Sequence, residues 1–124
     1  MKITENFDSS IDQMSCPCCG ALVVDNDFIR RIQSLRWLVG KPFVMDKTGG
    51  GFYRCRDYQL AHHPEHPDSQ HLMGRAMDIS TIGWSGVDKA VFLKHAFNLG
   101  LSVGRDNYKT WFHVDLRPGK KVYF

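Results

Sequence analysis

Ser69-Gln70-His71-Leu72-Met73-Gly74-Arg75-Ala76-Met77-Asp78-Ile79-Ser80 is the run that decides how this chain reads. From Ala76 to Ser80 apolar and polar residues alternate with the period of a β-strand, and Gly74 permits a positive φ or a close backbone approach just before it. His71 then stands at the end of a loop and Asp78 on the strand, near enough to converge on one ion. The interval is cheap in isolation. With six His and eleven Asp among 124 residues, chance supplies about half such an instance.

Downstream, Thr110-Trp111-Phe112-His113-Val114-Asp115-Leu116 reads as a second strand. A period of two puts Trp111, His113 and Asp115 on one face and Phe112, Val114 and Leu116 on the other. The second face is core. On the first, an imidazole and a carboxylate point the same way, which is costly to bury unless each has a partner. His71, Asp78 and His113 therefore propose themselves as one site. Two imidazoles and a carboxylate leave a fourth tetrahedral position for water, the pattern of a catalytic zinc centre. The alternative is a buried His113 satisfied by Asp115 or another acid, without metal.

Between these strands, residues 85–100 read as a helix with Ser85 as N-cap and Asp88 at the positive end of its dipole. Its expected apolar face is Val87, Ala90, Val91, Leu93 and Phe97, and Gly100 stops it. Leu101–Val103 and Lys121–Phe124 are also strand-like. Upstream, Asp25-Asn26-Asp27 offers N-caps to an amphipathic helix with Phe28, Ile32, Leu35 and Val39 on its apolar face, ended by Gly40 and Lys41-Pro42. Pro42–Asp46 reads as a short strand and Thr48–Gly51 as a turn. Asp57–Ser69 is polar, carries His62, His63, His66 and two prolines, and reads as a surface loop. These elements predict one α+β domain over residues 1–124, a small antiparallel sheet with helices packed against it. Residues 1–13 are expected to pack loosely.

Hydrophobic side chains make up 43% of the chain and charged ones 23%, which suits a globular domain rather than disorder. No apolar stretch approaches the roughly 20 residues of a membrane span, and the start lacks the apolar run of a secretory signal. Cytoplasmic synthesis without membrane insertion is expected. A net charge of +3 is too mild for a dedicated nucleic-acid binder but suits an anionic polymer as substrate. Three cysteines, Cys16, Cys18 and Cys19, sit together and Cys55 stands apart. Their spacing lacks the two separated pairs usual in structural zinc sites, so reduced thiols are the default. A structural metal or a link to Cys55 is the alternative, and spacing and charge together disfavour a nucleic-acid-binding zinc knuckle.

Ser69, His71, Gly74, Ala76 and Asp78, followed by Phe112-His113-Val114-Asp115, resemble the zinc D-alanyl-D-alanine carboxypeptidases and their phage endolysin relatives, whose fold is shared with the Hedgehog signalling domain. Tyr53-Arg54, the helix over 28–39 with its Leu-Arg pair and the cysteine-bearing start match the small phage and bacterial branch, so the likeness covers about residues 14–117. The resemblance implies a Hedgehog-like or DD-peptidase-like fold with Zn2+ held by His71, Asp78 and His113. It implies that Arg54 stabilises an oxyanion or holds the peptide, and that Ser69 orients the first ligand or touches substrate. The implied activity is hydrolysis of peptidoglycan stem peptides next to D-alanine, by a phage-encoded protein working at the bacterial cell wall. A monomer is expected, and carboxypeptidase, dipeptidase and endopeptidase action all stay open.

Thr110 stands three residues before His113, where many enzymes of that family carry an acidic general base. A threonine hydroxyl cannot take a proton from water at neutral pH. Asp115 is the expected replacement and Asp106 the second. With Glu5 and Glu65 both distant from His113 in sequence, any nearby base on that strand must be an aspartate. If neither aspartate serves, the chain becomes a zinc-containing binding or structural module without turnover.

Overall fold

Asp78 and His113 face each other across an antiparallel strand pair, and the rest of the fold is arranged around that pair. The computed structural model describes residues 1–10, 12–45, 49–104 and 110–124. The chain runs through β1 (Lys2–Thr4), β2 (Phe7–Asp8), α1 (Asn26–Val39), α2 (Arg56–His62) and a 3-10 turn (Gln70–Met73). It continues through β3 (Ala76–Ser80), α3 (Gly86–Asn98), β4 (Ser102–Gly104) and β5 (Trp111–Asp115). Strands β3, β5 and β4 form an antiparallel sheet in that order, and β1 and β2 form a separate hairpin. The expected α+β class is what is observed. No helix among the described residues is long and apolar enough to cross a membrane.

Alternation gives the three-stranded sheet two unlike faces. Met77, Ile79, Val103, Phe112 and Val114 are buried on one face, in one core with the buried residues of α1 and α3. The opposite face carries Asp78 beside His113, Ala76 and Ser102 beside Asp115, and Gly104 beside His113. Small neighbours thus surround the two polar side chains.

Both long helices form where caps and periodicity predict. The Asp25 side chain accepts from the Phe28 N–H, and Gly40, at φ 73°, closes α1 by donating to the Arg36 carbonyl. Phe28, Ile29, Ile32 and Leu35 bury its apolar stripe. At α3, Ser85 and Asp88 form a reciprocal capping box. Its buried stripe is narrower than expected: Phe92 and Ala96 enter the core, while Val87 and Phe97 are 73% and 50% exposed. Phe97 is covered from outside instead, its ring 5.9 Å from that of Tyr123 and 4.6 Å from the Lys121 ammonium.

Four other expectations are corrected. Residues 42–45 are not a strand: Phe43 and Met45 are buried, but the segment meets the sheet through Ser80 N–H donating to the Val44 carbonyl at 2.8 Å. Asp57–Ser69 is not all loop, because the Cys55 sulfur accepts from Tyr58 N–H and caps helix α2, which Pro64 stops. The end of the chain makes a single parallel bridge, Val103 to Tyr123, rather than a strand. Residues 1–10 are docked: Phe7 is 2% exposed against Phe43, and buried Gln33 accepts from Thr4 Oγ1 and Asn6 N–H. Asp46 and Thr48, parts of the expected strand and turn, and Asp106, the second expected base, lie outside the described residues.

Gly74 closes the 3-10 turn at φ 66°, and its backbone lies so close to the segment before α1 that a β-carbon would sit 2.0 Å from the Val23 carbonyl oxygen. That contact is backbone, so it cannot swing aside. Gly83, at φ 81°, has open space around it. Gly74→Ala should lower stability by about 3 kcal/mol or more, against about 1 kcal/mol for Gly83→Ala, read from denaturant midpoints. Equal losses at both positions would show that only the φ angle matters.

Candidate metal centre

Strand register and one tight turn bring three donors together. His113 Nδ1 lies 3.0 Å from Asp78 Oδ1, its cross-strand neighbour. His71 comes from the 3-10 turn, whose start is set by Ser69 Oγ accepting the His71 N–H at 3.2 Å. Its Nε2 lies 3.3 Å from the same Asp78 oxygen. One ligand atom from each residue lies within 4.8 Å of the others, close enough to share a metal ion. The three residues that the sequence offers as one site are thus brought together.

Each donor is held from behind. His71 Nδ1 is 2.5 Å from the Phe52 carbonyl, so that nitrogen carries the proton and Nε2 keeps its lone pair toward Asp78. His113 Nε2 is 2.7 Å from Asp115 Oδ2. Asp78 Oδ2 accepts from Arg54 Nη2 at 2.9 Å, which leaves Oδ1 to the two imidazoles. Arg54 is held in turn: its Nε donates to the Gly50 carbonyl and its Nη1 to Gln59 Oε1. Asp115 is fully buried, and the Arg117 backbone N–H, Nε and Nη2 all donate to its two oxygens.

Electrostatics follows from this packing. Burial disfavours a charge on His113, but hydrogen bonds to Asp115 and Asp78 outweigh it and its pKa is pushed up to about 9. Burial dominates at His71 and lowers its pKa. At Asp78 burial works upward, but His71 and His113 win and hold it well below the usual carboxylate range. Asp115 is lowered in the same way, against burial, by His113 and Arg117. Since both nitrogens of His113 face carboxylates, the ring either carries two protons or holds a cation at Nδ1. Two nitrogens and a carboxylate with outer partners in place are a donor set that fits zinc.

A cleft of about 560 Å³ opens on the triad, with Ser69, Asp68, Glu65, His63, Arg117 and Phe124 among its walls. A second of about 580 Å³ adjoins it, and Arg54, His63, Asp78 and Trp111 line both. Thr110, exposed, lines the second cleft. Asp115 meets His113 from the side away from the triad oxygen, and both its oxygens accept hydrogen bonds, so the residue expected as base also supports His113 from behind while lining the cleft. Three contributors escape the sequence reading: the Phe52 carbonyl, Gln59 and Arg117. Arg117 continues the alternation of His113 and Asp115, a signal that was present; the other two have none. Glu65 is far from His113 in sequence yet lines the same cleft, because Gln59 and His63 of the α2 end and the turn after it form part of its wall.

The four cysteines also converge, their sulfur atoms within 4.8 Å of one another. Burial works to raise the Cys16 thiol, but N–H groups of Cys55, Cys18 and Cys19 hold it down to about 6. The expected reduced thiols are thus gathered into a second set of donors able to hold a metal.

His113 makes stability depend on pH once chelator has removed any metal. Its pKa lies above the ordinary 6.5, so its contribution is complete below that value and is lost as pH rises through about 9. The melting temperature of chelator-treated protein should fall between neutral pH and about 10, and His113→Gln should flatten that fall. A wild-type melting temperature constant across this window would refute the charged pair.

Searches against protein-family models, curated proteins and solved structures each found no match to this chain.

Proposed function

We propose that the chain is a zinc metallopeptidase of the D-alanyl-D-alanine carboxypeptidase and endolysin kind, with a Hedgehog-like fold, hydrolysing peptide bonds next to D-alanine in peptidoglycan stem peptides at the bacterial cell wall. The observation that carries this reading is the convergence of His71 Nε2 and His113 Nδ1 on Asp78 Oδ1, each imidazole tied from behind by an acceptor. Zinc in that position supplies a Lewis acid for the scissile carbonyl and acidifies water at neutral pH.

The chain's own residues divide the remaining work. Asp115 fixes the tautomer and direction of His113, and Arg54 fixes the Asp78 carboxylate. Ser69 sets the turn that aims His71. With Asp115 so engaged, we assign proton transfer to Glu65 on the cleft wall, whose Oε1 is 3.7 Å from His63 Nδ1. The two adjoining clefts, sharing Arg54, Asp78 and Trp111, leave room for peptide on both sides of the scissile bond.

A second reading, a zinc-containing binding or structural module without turnover, is favoured by Thr110 at the usual base position and by the saturated Asp115. Digestion of stem peptides ending in D-Ala-D-Ala by zinc-loaded protein separates the two. Wild type should release D-alanine or cut the peptide, and His71→Ala should lose both activity and the metal of this site. Bound zinc with no hydrolysis supports the module instead. Asp115→Asn should weaken zinc binding roughly 10–100-fold, with activity recovering as zinc is raised. Glu65→Gln should keep its zinc and lose about 100-fold or more in turnover; unchanged turnover would remove Glu65 from the mechanism.

A further inference from the structure

The segment Cys16-Pro17-Cys18-Cys19-Gly20 forms a tight loop. Gly20 N–H donates to the Cys16 carbonyl at 2.9 Å, Cys16 N–H donates to the Ala21 carbonyl at 2.8 Å, and Gly20 takes a positive φ of 74°. This curl gathers Cys16, Cys18 and Cys19 on one side, and Cys55, the N-cap of α2, completes the set. The Cys16 and Cys18 sulfurs are 3.6 Å apart, those of Cys18 and Cys55 3.2 Å, and all four lie within 4.8 Å of one another. A tetrahedral zinc with Zn–S bonds of about 2.3 Å holds its sulfurs about 3.8 Å apart, inside this range.

Two further contacts suit a metal thiolate. Cys55 N–H points at Cys16 Sγ and Tyr58 N–H at Cys55 Sγ, both at 3.4 Å, so backbone donors already hold these two sulfurs in place. Cys18 and Cys19 are exposed, and free thiols so placed are open to oxidation. A disulfide would use two of the four sulfurs and leave the convergence of the other two unexplained. Among the described residues no aspartate, glutamate or histidine joins the group, so the donor set there is purely sulfur.

We propose that Cys16, Cys18, Cys19 and Cys55 hold one zinc ion as a closed tetrathiolate site that staples the N-terminal segment to the loop presenting Arg54. Each sulfur binds as thiolate, any thiol proton passing to solvent, and nothing is oxidised or reduced. The staple acts where it matters for the metal centre. Cys55 follows Arg54 directly, and Pro17 packs on Gly49, whose neighbour Gly50 accepts the Arg54 Nε–H at 2.6 Å. Tyr53 N–H donates to the Met14 carbonyl at 3.1 Å, adding a backbone tie between the same two segments.

The test is zinc release from the full chain, purified reduced, by a mercurial reagent that attacks thiolates, followed with a metallochromic indicator. Wild type and His71→Ala/His113→Ala should each release one zinc per chain on mercurial addition. Cys18→Ser/Cys19→Ser should release none while retaining zinc at the histidine centre. The histidine-centre reading can thus fail while this one stands, and the reverse. Should the cysteine variant fail to fold, cobalt substitution of wild type decides: sulfur-to-cobalt charge-transfer bands with tetrahedral d–d intensity support the site, and their absence overturns it. Immediate modification of four thiols without zinc release, a Cys18–Cys55 disulfide in the mass spectrum, or the visible absorption of thiolate-bound iron would each overturn it as well.

Discussion

The pairing of Asp78 with His113 across β3 and β5 is the constraint on which the rest of the structure depends. A carboxylate and two imidazoles inside a small domain lose much of their hydration, and removing one partner of such a set destabilises by about 3–5 kcal/mol. Compensation has to come from geometry. Every member of this group has a second partner: Arg54 for Asp78, the Phe52 carbonyl for His71, and Asp115 for His113. Asp115 is satisfied in turn by Arg117. Among the described residues no buried side-chain nitrogen or oxygen lacks a hydrogen-bond partner. The polar network is complete, which is the condition under which burial of charge gives rigidity instead of strain.

The sheet makes such a network affordable by separating its two faces. Phe92 packs at 5.3 Å from Phe112, and Trp84 meets both rings edge-on or tilted, so the apolar side is covered by aromatic contacts from α3 and the loop before it. On the polar side, Ala76, Ser102 and Gly104 are small and stand beside Asp115 and His113. A one-residue slip of β5 would exchange these faces, placing Phe112 and Val114 in the cleft and the charged residues against α1 and α3. Register is therefore fixed by both faces at once, and the donor geometry inherits that precision.

What the sequence reveals and what it hides follow from the range of each interaction. Alternation through Trp111–Asp115 and Ala76–Ser80 places His113, Asp115 and Asp78, because in a strand direction is set by position alone. The caps Asp25, Ser85 and Gly40 are equally legible, since each acts within one helical turn. The α3 stripe is ambiguous in sequence because apolar residues lie on more than one side of that helix, and only the location of α1 and the chain end decides which are buried. Helix α2 is hidden in the sequence because its N-cap is Cys55, a residue that seldom caps a helix. Whether the four cysteines meet depends on a chain reversal between residues 19 and 55, which no local pattern encodes. The same holds for Glu65 and the cleft it lines.

Arg54 ties these distant pieces together. A guanidinium has five donors in a rigid fork, and here that fork reaches Gly50, Gln59 and Asp78 at once. Gln59 is buried on α2 and donates in turn to the His66 carbonyl at 2.7 Å, so the cleft wall around Glu65 is tied to the same arginine. Gly50 belongs to the loop that Pro17 packs against, and Cys55 caps the helix that carries Gln59. A shift of the loop at 49–55 would move the Arg54 fork, the Phe52 carbonyl behind His71 and the start of α2 together. Holding that loop in place is thus equivalent to holding Asp78 and His71 in place, and the backbone that does so lies in the N-terminal segment, remote from the cleft it organises.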